Sequence, residues 1–272
     1  MSSPLRVGFI GLGNMGARIV TLMLEAGVAT TLWARRASSL VPFESTAATV
    51  AESPAELAAG SDVVGICVWD EHDVDEVVLG ERGVIAGVRP GSVIAIHSTI
   101  SRHACVRLAA AVTPRGAHLI DAPVSQGSST PKVLVMAGGD SSVVEACRAV
   151  FETFGDPVLH LGPLGSGQIA KLVNNTLLAA SIGLADDALD LGAALGLDRV
   201  ALGTALSCGS SKGTWSTFLA PLPRLSGGRT GEWAKKDTGL MLDTVRDAGV
   251  DSDRAVLALG ARGADLVTKK LT

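Results

Sequence analysis

Three glycines near the start of the chain have the spacing of a phosphate-binding loop. Gly11, Gly13 and Gly16 form a G-x-G-x-x-G pattern between an apolar run, residues 7–10, and a helical pattern over residues 17–26. In such a loop the first glycine makes a tight turn, the second lets the backbone approach a pyrophosphate, and the third lets the helix pack closely on the strand. The N–H groups and the positive dipole end of the helix then favour phosphate. The pattern predicts a dinucleotide site formed by Gly11, Leu12, Gly13, Asn14, Met15 and Gly16.

The residues after the second predicted strand indicate which nicotinamide dinucleotide would bind. This strand covers residues 29–33, and Arg35, Arg36 and Ser38 follow it about 20 residues after the glycine loop. An Asp or Glu at this point would accept a hydrogen bond from a ribose 2′-hydroxyl, whereas an Arg guanidinium matches a phosphate. A pair of solvated arginines on a surface turn is the alternative. We expect a 2′-phosphate here, and therefore NADP(H) in preference to NAD.

A lysine and two amides at helical spacing form the second candidate for chemistry. Lys171 and Asn175 are one helical turn apart, and Asn174 is three residues from the lysine, near the start of a helical pattern over residues 168–195. This lysine could act as a general acid or base if desolvation or a nearby cation lowered its pKa. A surface lysine beside an exposed amide is the alternative. The chain contains no Tyr, so a Tyr-x-x-x-Lys proton donor is excluded.

The order of the predicted elements places these two candidates in different parts of the chain. Up to about residue 160, short apolar runs alternate with helical patterns, as in βαβ units. Strands are predicted at residues 7–10, 29–33, 62–68, 92–96, 118–121, 133–136 and 157–160, and helices at 17–26, 73–79, 102–112 and 141–154. Ser53 followed by Pro54 predicts a further helix start. After Gly165 the strand signal stops and the patterns are helical.

We therefore predict an α/β fold with two domains. An N-terminal Rossmann-type doubly wound sheet would occupy residues 1–164, and an all-α C-terminal domain would occupy residues 165–272, linked by the long helix. This helix is rich in Gly and Ala and would pack closely on other helices. A homodimer or a higher homo-oligomer is therefore expected.

Composition and charge exclude several classes of protein. The 272 residues are 47% hydrophobic and 18% charged with a formal net charge of −4, which indicates a globular chain without a basic surface for nucleic acid. The pattern shows no membrane-spanning stretch and no signal peptide, so we expect no membrane partner. Four scattered cysteines, Cys67, Cys105, Cys147 and Cys208, are interpreted as buried thiols of a reducing cytoplasm. Neither they nor the five His residues have the spacing of metal ligands.

Four segments of the chain, in order, resemble the β-hydroxyacid dehydrogenase family. This family belongs to the 6-phosphogluconate dehydrogenase superfamily and includes 3-hydroxyisobutyrate dehydrogenases and tartronate semialdehyde reductases. The similar segments are residues 8–16, 121–125 and 165–175 and the pair Lys236–Asp237. Residues 98–101 also resemble the family segment beside the nicotinamide ribose. The resemblance runs from about residue 7 to about residue 242 and implies an oxidoreductase acting on a small hydroxy acid.

The resemblance also implies a role for individual residues around the substrate. Lys171 matches the lysine that transfers the proton, and Asn175 matches the residue that holds the substrate hydroxyl or carboxylate. Ser125 and the backbone N–H groups around Gly127 match the anchor of the substrate carboxylate. The implied substrate-binding set is Ser125, Gln126, Gly127 and Asn174.

On the cofactor side, the resemblance places Thr99 beside the nicotinamide ribose. Lys236 matches the residue that reaches the nicotinamide side of the cleft, where a second cation would help to depress the pKa of Lys171. Asp237 would orient this lysine pair or cap its own helix.

Two departures from the family pattern leave the substrate open. The anchor reads Ser-Gln-Gly instead of Ser-Gly-Gly, and Trp69-Asp70-Glu71 stands where related chains more often carry an apolar residue and Pro. The leading expectation is an NADP(H)-dependent oxidoreductase that interconverts a small 3-hydroxy acid and its 3-oxo acid or semialdehyde. An imine reductase on the same fold and a non-catalytic NADP(H)-binding protein are the alternatives. The presence of both Lys171 and Asn175 favours the first.

Overall fold

The computed structural model describes residues 5–126, 131–216 and 232–271. The chain divides into two compact units, Met1–Lys171 and Leu172–Thr272. The division falls inside a single helix, so the residues predicted to do chemistry near position 171 belong partly to one unit and partly to the other.

The first unit is built on a parallel sheet. Its strands are β1 (Val7–Ile10), β2 (Thr30–Trp33), β3 (Thr49–Val50), β4 (Val63–Ile66), β5 (Val93–Ile96) and β6 (His118–Asp121). Within the described residues they lie in the order β3-β2-β1-β4-β5-β6, and all pairs are parallel. The order reverses at β1, which has β2 on one side and β4 on the other. Ligands of open α/β sheets bind beyond the carboxyl ends of the strands at such a reversal.

Helices cover the sheet, so its central strands are buried. These helices are α1 (Asn14–Glu25), α2 (Pro54–Gly60), α3 (Glu71–Leu79), α4 (Val84–Gly87), α5 (Arg102–Val112) and α6 (Ser141–Phe154). Every residue of β1, β4 and β5 is buried, which explains their continuous apolar sequences. Separate apolar clusters lie around Phe9 and Ile19 and around Ile10 and Leu57. The predicted doubly wound sheet is confirmed.

Several helix boundaries follow from side-chain caps. Ser53 accepts a hydrogen bond from the N–H of Glu56 and starts α2 at Pro54, as predicted. Asp70 caps α3 in the same way, so this helix begins at Glu71, two residues before the predicted start. Gly13 is the N-cap of α1, which begins at Asn14 and not at residue 17 as predicted. The last three residues of the glycine motif therefore form the first helical turn.

A small second sheet completes the first unit. It contains β7 (Val124–Gln126), β8 (Val133–Ala137) and β9 (Gly155–His160), with β7 antiparallel and β9 parallel to β8. The sequence pattern predicts β8 and β9. It misses β7, which has only three residues, and also β3, which has two exposed residues.

His97 is an imidazole inside the core of the first unit. Its ring stacks on Phe9, and the rings of Phe151 and Phe154 meet it edge-on, all with centroids less than 6 Å away. Its Nδ1 lies 2.7 Å from the carbonyl oxygen of Ala122. Burial lowers the pKa of His97 from its ordinary 6.5 to about 4, so the ring is a neutral structural group at physiological pH.

The second unit is helical throughout its described residues. Helix α7 (Ser166–Ala194) begins in the first unit and continues into the second, where it is followed by α8 (Arg199–Cys208), α9 (Glu232–Asp247) and α10 (Ala255–Leu271). Small residues allow α7 and α10 to approach closely, since a Cβ on Gly263 would lie 1.6 Å from the carbonyl oxygen of Ala179. The small-residue face of α7 is thus used within the chain.

The sequence pattern predicts that all four cysteines are buried, and this is wrong for two of them. Cys105 and Cys147 are buried, but Cys67 is half-buried and Cys208, at the end of α8, is exposed. Burial raises the pKa of Cys67 to about 12, so its thiol stays protonated. Among the described residues, no cluster of His, Cys, Asp and Glu could hold a metal ion. None of the described helices is long and apolar enough to cross a membrane.

Candidate active site

The glycine loop has the geometry that its spacing predicts. Gly11 has φ +96°, which favours glycine, and a Cβ there would lie 2.3 Å from the carbonyl oxygen of Cys67. A Cβ on Gly16 would lie 1.9 Å from the carbonyl oxygen of Gly11, so α1 packs directly on the turn. A Cβ on Gly13 would meet nothing within 4 Å. Gly11 and Gly16 therefore hold the loop together, whereas Gly13 faces open space.

The start of α1 is suited to bind an anion. Gly13 provides no side-chain cap, and the first turn of α1 contains no acidic residue. The helical bonds begin with the N–H of Ala17, which donates to the carbonyl of Gly13 at 2.8 Å. The N–H groups of the preceding residues point out of the helix end and favour a phosphate. Together with the open space at Gly13, this arrangement fits the pyrophosphate of a dinucleotide.

Arg35 and Arg36 follow β2 and are exposed beyond its carboxyl end. The Arg35 guanidinium forms ion pairs with two carboxylates of α3, at 3.2 Å from Asp73 and 3.1 Å from Glu76. The guanidinium of Arg35, which is predicted to bind the 2′-phosphate, is therefore already paired with two carboxylates from a distant part of the sequence.

The loop between β5 and α5 carries Thr99 and is held from both sides. Ser98 Oγ accepts a hydrogen bond from the N–H of Val68 at 2.8 Å. Glu71 accepts hydrogen bonds from the backbone N–H and the hydroxyl of Ser101, at 3.2 and 2.8 Å. Because residues 98 and 101 are fixed, the position of Thr99 between them is also fixed.

Gln168 connects this loop to the first turn of α7. Its side chain is fully buried and donates through Nε2 to the carbonyl of Ser98 at 2.9 Å. Its Oε1 accepts from the N–H of Ile100 at 3.1 Å. One amide thus satisfies a backbone acceptor and a backbone donor on either side of Thr99.

Asp121 anchors the start of α7 to the sheet. It is the last residue of β6 and is fully buried. Its carboxylate accepts hydrogen bonds from the N–H groups of Gly165 at 2.6 Å and Gln168 at 2.8 Å. Burial raises the pKa of Asp121, and these N–H donors oppose the increase. An anion at a helix start is favourable, so Asp121 fixes where α7 begins.

Lys171 lies one turn into α7, within electrostatic range of Cys67. Its positive charge lowers the pKa of the Cys67 thiol, which partly opposes the larger effect of burial. Cys67 follows β4, and its carbonyl oxygen lies against Gly11. The lysine is thus at the carboxyl edge of the sheet, where β1 and β4 end.

The amides predicted to bind substrate form a network within the second unit. Asn175 is buried; its Nδ2 donates to Asp237 Oδ2 at 2.6 Å, and its Oδ1 accepts from Asn174 Nδ2 at 2.9 Å. The ammonium of Lys236 lies 3.1 Å from the other carboxylate oxygen of Asp237, without hydrogen-bond alignment. Asp237 therefore orients Asn175 and is paired with Lys236.

The predicted carboxylate anchor is only partly described. Ser125 is half-buried in β7 opposite Leu134, and the backbone of Gln126 pairs with Val133. Gly127 lies outside the described residues.

The unusual acids after β4 have structural tasks, since Asp70 caps α3 and Glu71 holds Ser101. They do not require an amine or hydroxyl ligand to explain them, which removes one reason for considering an imine substrate.

Sequence reasoning missed the positioning roles of Asp121 and Gln168. Their partners lie 44 to 70 residues away along the chain, so no local pattern indicates the contacts. A buried polar side chain at the start of an apolar helix is a usable signal, because such a group needs a partner.

Comparison with known proteins agrees with this arrangement. Residues 6–162 match the family model of the NAD binding domain of 6-phosphogluconate dehydrogenase. Residues 165–261 match the model described as NAD-binding of NADP-dependent 3-hydroxyisobutyrate dehydrogenase. The two matches meet at the start of α7.

Individual relatives cover most of the chain. An NAD-dependent L-serine dehydrogenase of Pseudomonas aeruginosa is 32% identical over 268 residues, covering 93% of this chain and 90% of the relative. An uncharacterised oxidoreductase of Mycobacterium tuberculosis is 35% identical over 201 residues, or 73% of this chain and 68% of the relative.

A solved structure of similar size shares the whole architecture. Mycobacterium tuberculosis 3-hydroxyisobutyrate dehydrogenase with L-serine has a TM-score of 0.81 at 27% identity, covering 98% of this chain and 94% of that one. The family matches, the glycine loop and the helix that carries Lys171 lead to one conclusion: the chain belongs to the β-hydroxyacid dehydrogenase family of NAD(P)-dependent oxidoreductases that act on CH–OH groups.

Proposed function

We propose that the chain is an NADP(H)-dependent oxidoreductase that interconverts a small 3-hydroxy acid and its 3-oxo acid or semialdehyde, with Lys171 as general acid and base. The observation that carries the proposal is the position of Lys171. Its charge acts on the thiol of Cys67, whose carbonyl lies against Gly11 of the dinucleotide loop. A proton-transfer group beside the dinucleotide loop is suited to a reaction in which hydride and proton leave neighbouring atoms.

A bound nicotinamide would supply or accept the hydride. The proton that accompanies the hydride has to be transferred by a residue of the chain. Lys171 would take it from the hydroxyl oxygen of the substrate in oxidation and return it to the carbonyl oxygen in reduction. The Asn175 amide uses one N–H and one oxygen lone pair on Asp237 and Asn174. Its second N–H and second lone pair can bind a substrate oxygen.

The substrate class follows from the relatives named for L-serine and 3-hydroxyisobutyrate. Both molecules are 3-hydroxy acids with a primary alcohol and one carboxylate. We assign the same class to this chain, with the carboxylate near Ser125. The relative from Pseudomonas aeruginosa is NAD-dependent. The NADP preference proposed here rests on Arg35 and Arg36 at the end of β2, where they would bind a 2′-phosphate.

Turnover of a substrate panel with each cofactor tests this function. The panel contains 3-hydroxy acids, semialdehydes and cyclic imines, each with NADP(H) and NAD(H). We expect activity on the hydroxy acids and semialdehydes, with a higher kcat/KM for NADP(H). Lys171→Ala should lower kcat by about 100- to 10,000-fold and leave the cofactor Kd unchanged. Lys269→Ala, an exposed lysine of α10, is the control and should retain full activity.

Three results would contradict the proposal. Retained turnover in Lys171→Ala would remove the role of the lysine. Activity confined to cyclic imines would favour the imine reductase. No turnover with any compound, despite cofactor binding, would favour a non-catalytic NADP(H)-binding protein.

We further propose that the chain forms a homo-oligomer through the outer face of α7. Four apolar residues lie within one narrow stripe of this helix, each 49% to 63% exposed: Val173, Leu177, Leu184 and Leu191. At 1.5 Å per residue the stripe is about 27 Å long, and three of its members repeat every seven residues. A second copy presents the same apolar stripe, so a two-fold pairing would cover both. Light scattering should report a dimer or larger, and Leu184→Glu with Leu191→Glu should give a monomer; a monomeric wild type would refute this.

A further inference from the structure

The ion pairs of Arg35 concern the choice of cofactor directly. Asp73 and Glu76 are three residues apart on α3, so both carboxylates lie on one face of the helix and reach the same guanidinium. Their oxygens lie 3.2 and 3.1 Å from Nη1 of Arg35. Two carboxylates and one guanidinium give this cluster a net charge of −1.

A phosphate bound by Arg35 would therefore meet an arginine that is already neutralised. A phosphate monoester carries a charge of roughly −1.5 to −2 at neutral pH. Both carboxylates lie within hydrogen-bond distance of the guanidinium, so a phosphate on that group would come within the screening length of roughly 8–10 Å from each of them. The repulsion acts on the 2′-phosphate and not on an uncharged 2′-hydroxyl.

The two carboxylates weaken phosphate binding by repulsion, but they leave part of the Arg35 guanidinium accessible to a phosphate. Both ion pairs use Nη1 of Arg35, and a guanidinium has five N–H donors in a planar fork. The Nε and Nη2 edge can still receive a second anion. The side chains of Arg35 and Glu76 are 64% and 54% exposed, so the ion pair can rearrange, whereas that of Asp73 is only 18% exposed.

We propose that Asp73 and Glu76 are specificity-determining residues that weaken the preference of this chain for NADP over NAD by neutralising Arg35. The proposal rests on the proposed function, in which Arg35 receives the 2′-phosphate. Removing the two charges should turn a modest NADP preference into a strong one.

Cofactor binding by isothermal titration calorimetry tests the proposal without depending on turnover. The full chain is titrated with NADP⁺ and with NAD⁺ as wild type, Asp73→Asn, Glu76→Gln and the double variant. The double variant should bind NADP⁺ about three- to tenfold more tightly at low ionic strength, as expected for removing two screened charges near a phosphate. Its Kd for NAD⁺ should stay within about twofold of the wild-type value, because a 2′-hydroxyl is uncharged.

Asp75→Asn is the matched control. Asp75 lies between the two residues on the same helix, but its carboxylate pairs with Arg107 at 2.8 Å. This change removes one carboxylate charge from α3, as each single variant does, without releasing Arg35. If Asp75→Asn tightened NADP⁺ binding as much as Asp73→Asn and Glu76→Gln each do, the effect would come from the overall charge of the helix and the proposal would be wrong.

Arg35→Ala separates this proposal from the proposed function. If that variant loses NADP⁺ affinity at least about tenfold while the double variant binds like wild type, the phosphate site stands and the role of the acids is refuted. If Arg35→Ala leaves the NADP⁺ affinity unchanged, the phosphate site itself is wrong and the role of the acids falls with it. Thermal unfolding identifies a misfolded variant, in which case Glu76→Gln alone, at an exposed side chain, decides the question.

Discussion

Alanine at Gly13 or at Gly16 adds the same methyl group three residues apart, with opposite expected consequences. At Gly16 the new Cβ would lie 1.9 Å from the carbonyl oxygen of Gly11, so the helix or the turn must move by more than 1 Å to reach an ordinary contact. Overpacking of this kind costs about 1–3 kcal/mol, and the higher end applies because the obstacle is backbone. Gly16→Ala should therefore lower the free energy of unfolding by about 2–3 kcal/mol.

At Gly13 the added methyl group should change the stability of the fold very little. The backbone has φ −71° and ψ −175°, which any residue adopts, and a Cβ would meet nothing within 4 Å. Alanine restricts the unfolded chain, which stabilises by about 0.4–1 kcal/mol, but it is a poorer N-cap by a similar amount. The stability should therefore stay within about 1 kcal/mol of wild type. The methyl group would fill the space needed for a pyrophosphate, and the cofactor Kd should rise about 10- to 100-fold.

Two measurements on each variant check this contrast. Urea unfolding is followed without cofactor, because bound cofactor would itself shift the stability. Calorimetric titration with NADP⁺ and NAD⁺ then gives the Kd values. Wild-type cofactor affinity in Gly13→Ala would refute the placement of the pyrophosphate. Equal stabilities of the two variants would refute the assignment of Gly16 to packing.

Two further predictions concern buried polar side chains of the first unit. The pKa of His97 is about 4 in the folded chain and 6.5 in the unfolded chain, so the folded state binds the proton less readily. The contribution of His97 to the free energy of unfolding is therefore complete above pH 6.5. It is lost as the pH falls towards 4, by up to about 3 kcal/mol. The unfolding free energy of His97→Asn should lack that part of the pH dependence; an unchanged profile would assign it to other groups. Gln168→Leu leaves the carbonyl of Ser98 and the N–H of Ile100 without their partner and should destabilise by roughly 2–5 kcal/mol in urea unfolding. A loss below about 1 kcal/mol would mean that water replaces the amide.

The sequence predicts most of the first unit because local signals and long-range packing agree there. The strand of Val63–Ile66 is apolar throughout since helices cover both faces of the sheet, and Ser53 with Pro54 marks a helix start by chemistry that acts over three residues. Short strands such as β3 and β7 are not predicted from the sequence. Strand β7 is an antiparallel partner of β8, and nothing within its three residues records that pairing.

The candidate site is predictable where a motif carries its own geometry. The glycines could be assigned one by one, and the positions at Gly11, Gly13 and Gly16 differ as expected. The surroundings of Arg35 could not be predicted, because the carboxylates that neutralise it come 38 and 41 residues later. Gln126 stays open for a different reason, as the residues that follow it lie outside the described part of the chain.

The start of α7 shows how the molecule distinguishes between two equivalent anion sites. Helices α1 and α7 both begin with N–H groups that have no acceptor within the helix and with a positive dipole end. At α7 the chain supplies its own hydrogen-bond acceptor, since the carboxyl group of Asp121 accepts from the N–H groups at the helix start at 2.6 and 2.8 Å. At α1 no acidic residue stands in the first turn. A phosphate in solution is therefore favoured at the start of α1, and the start of α7, the helix that contains Lys171, does not compete for it.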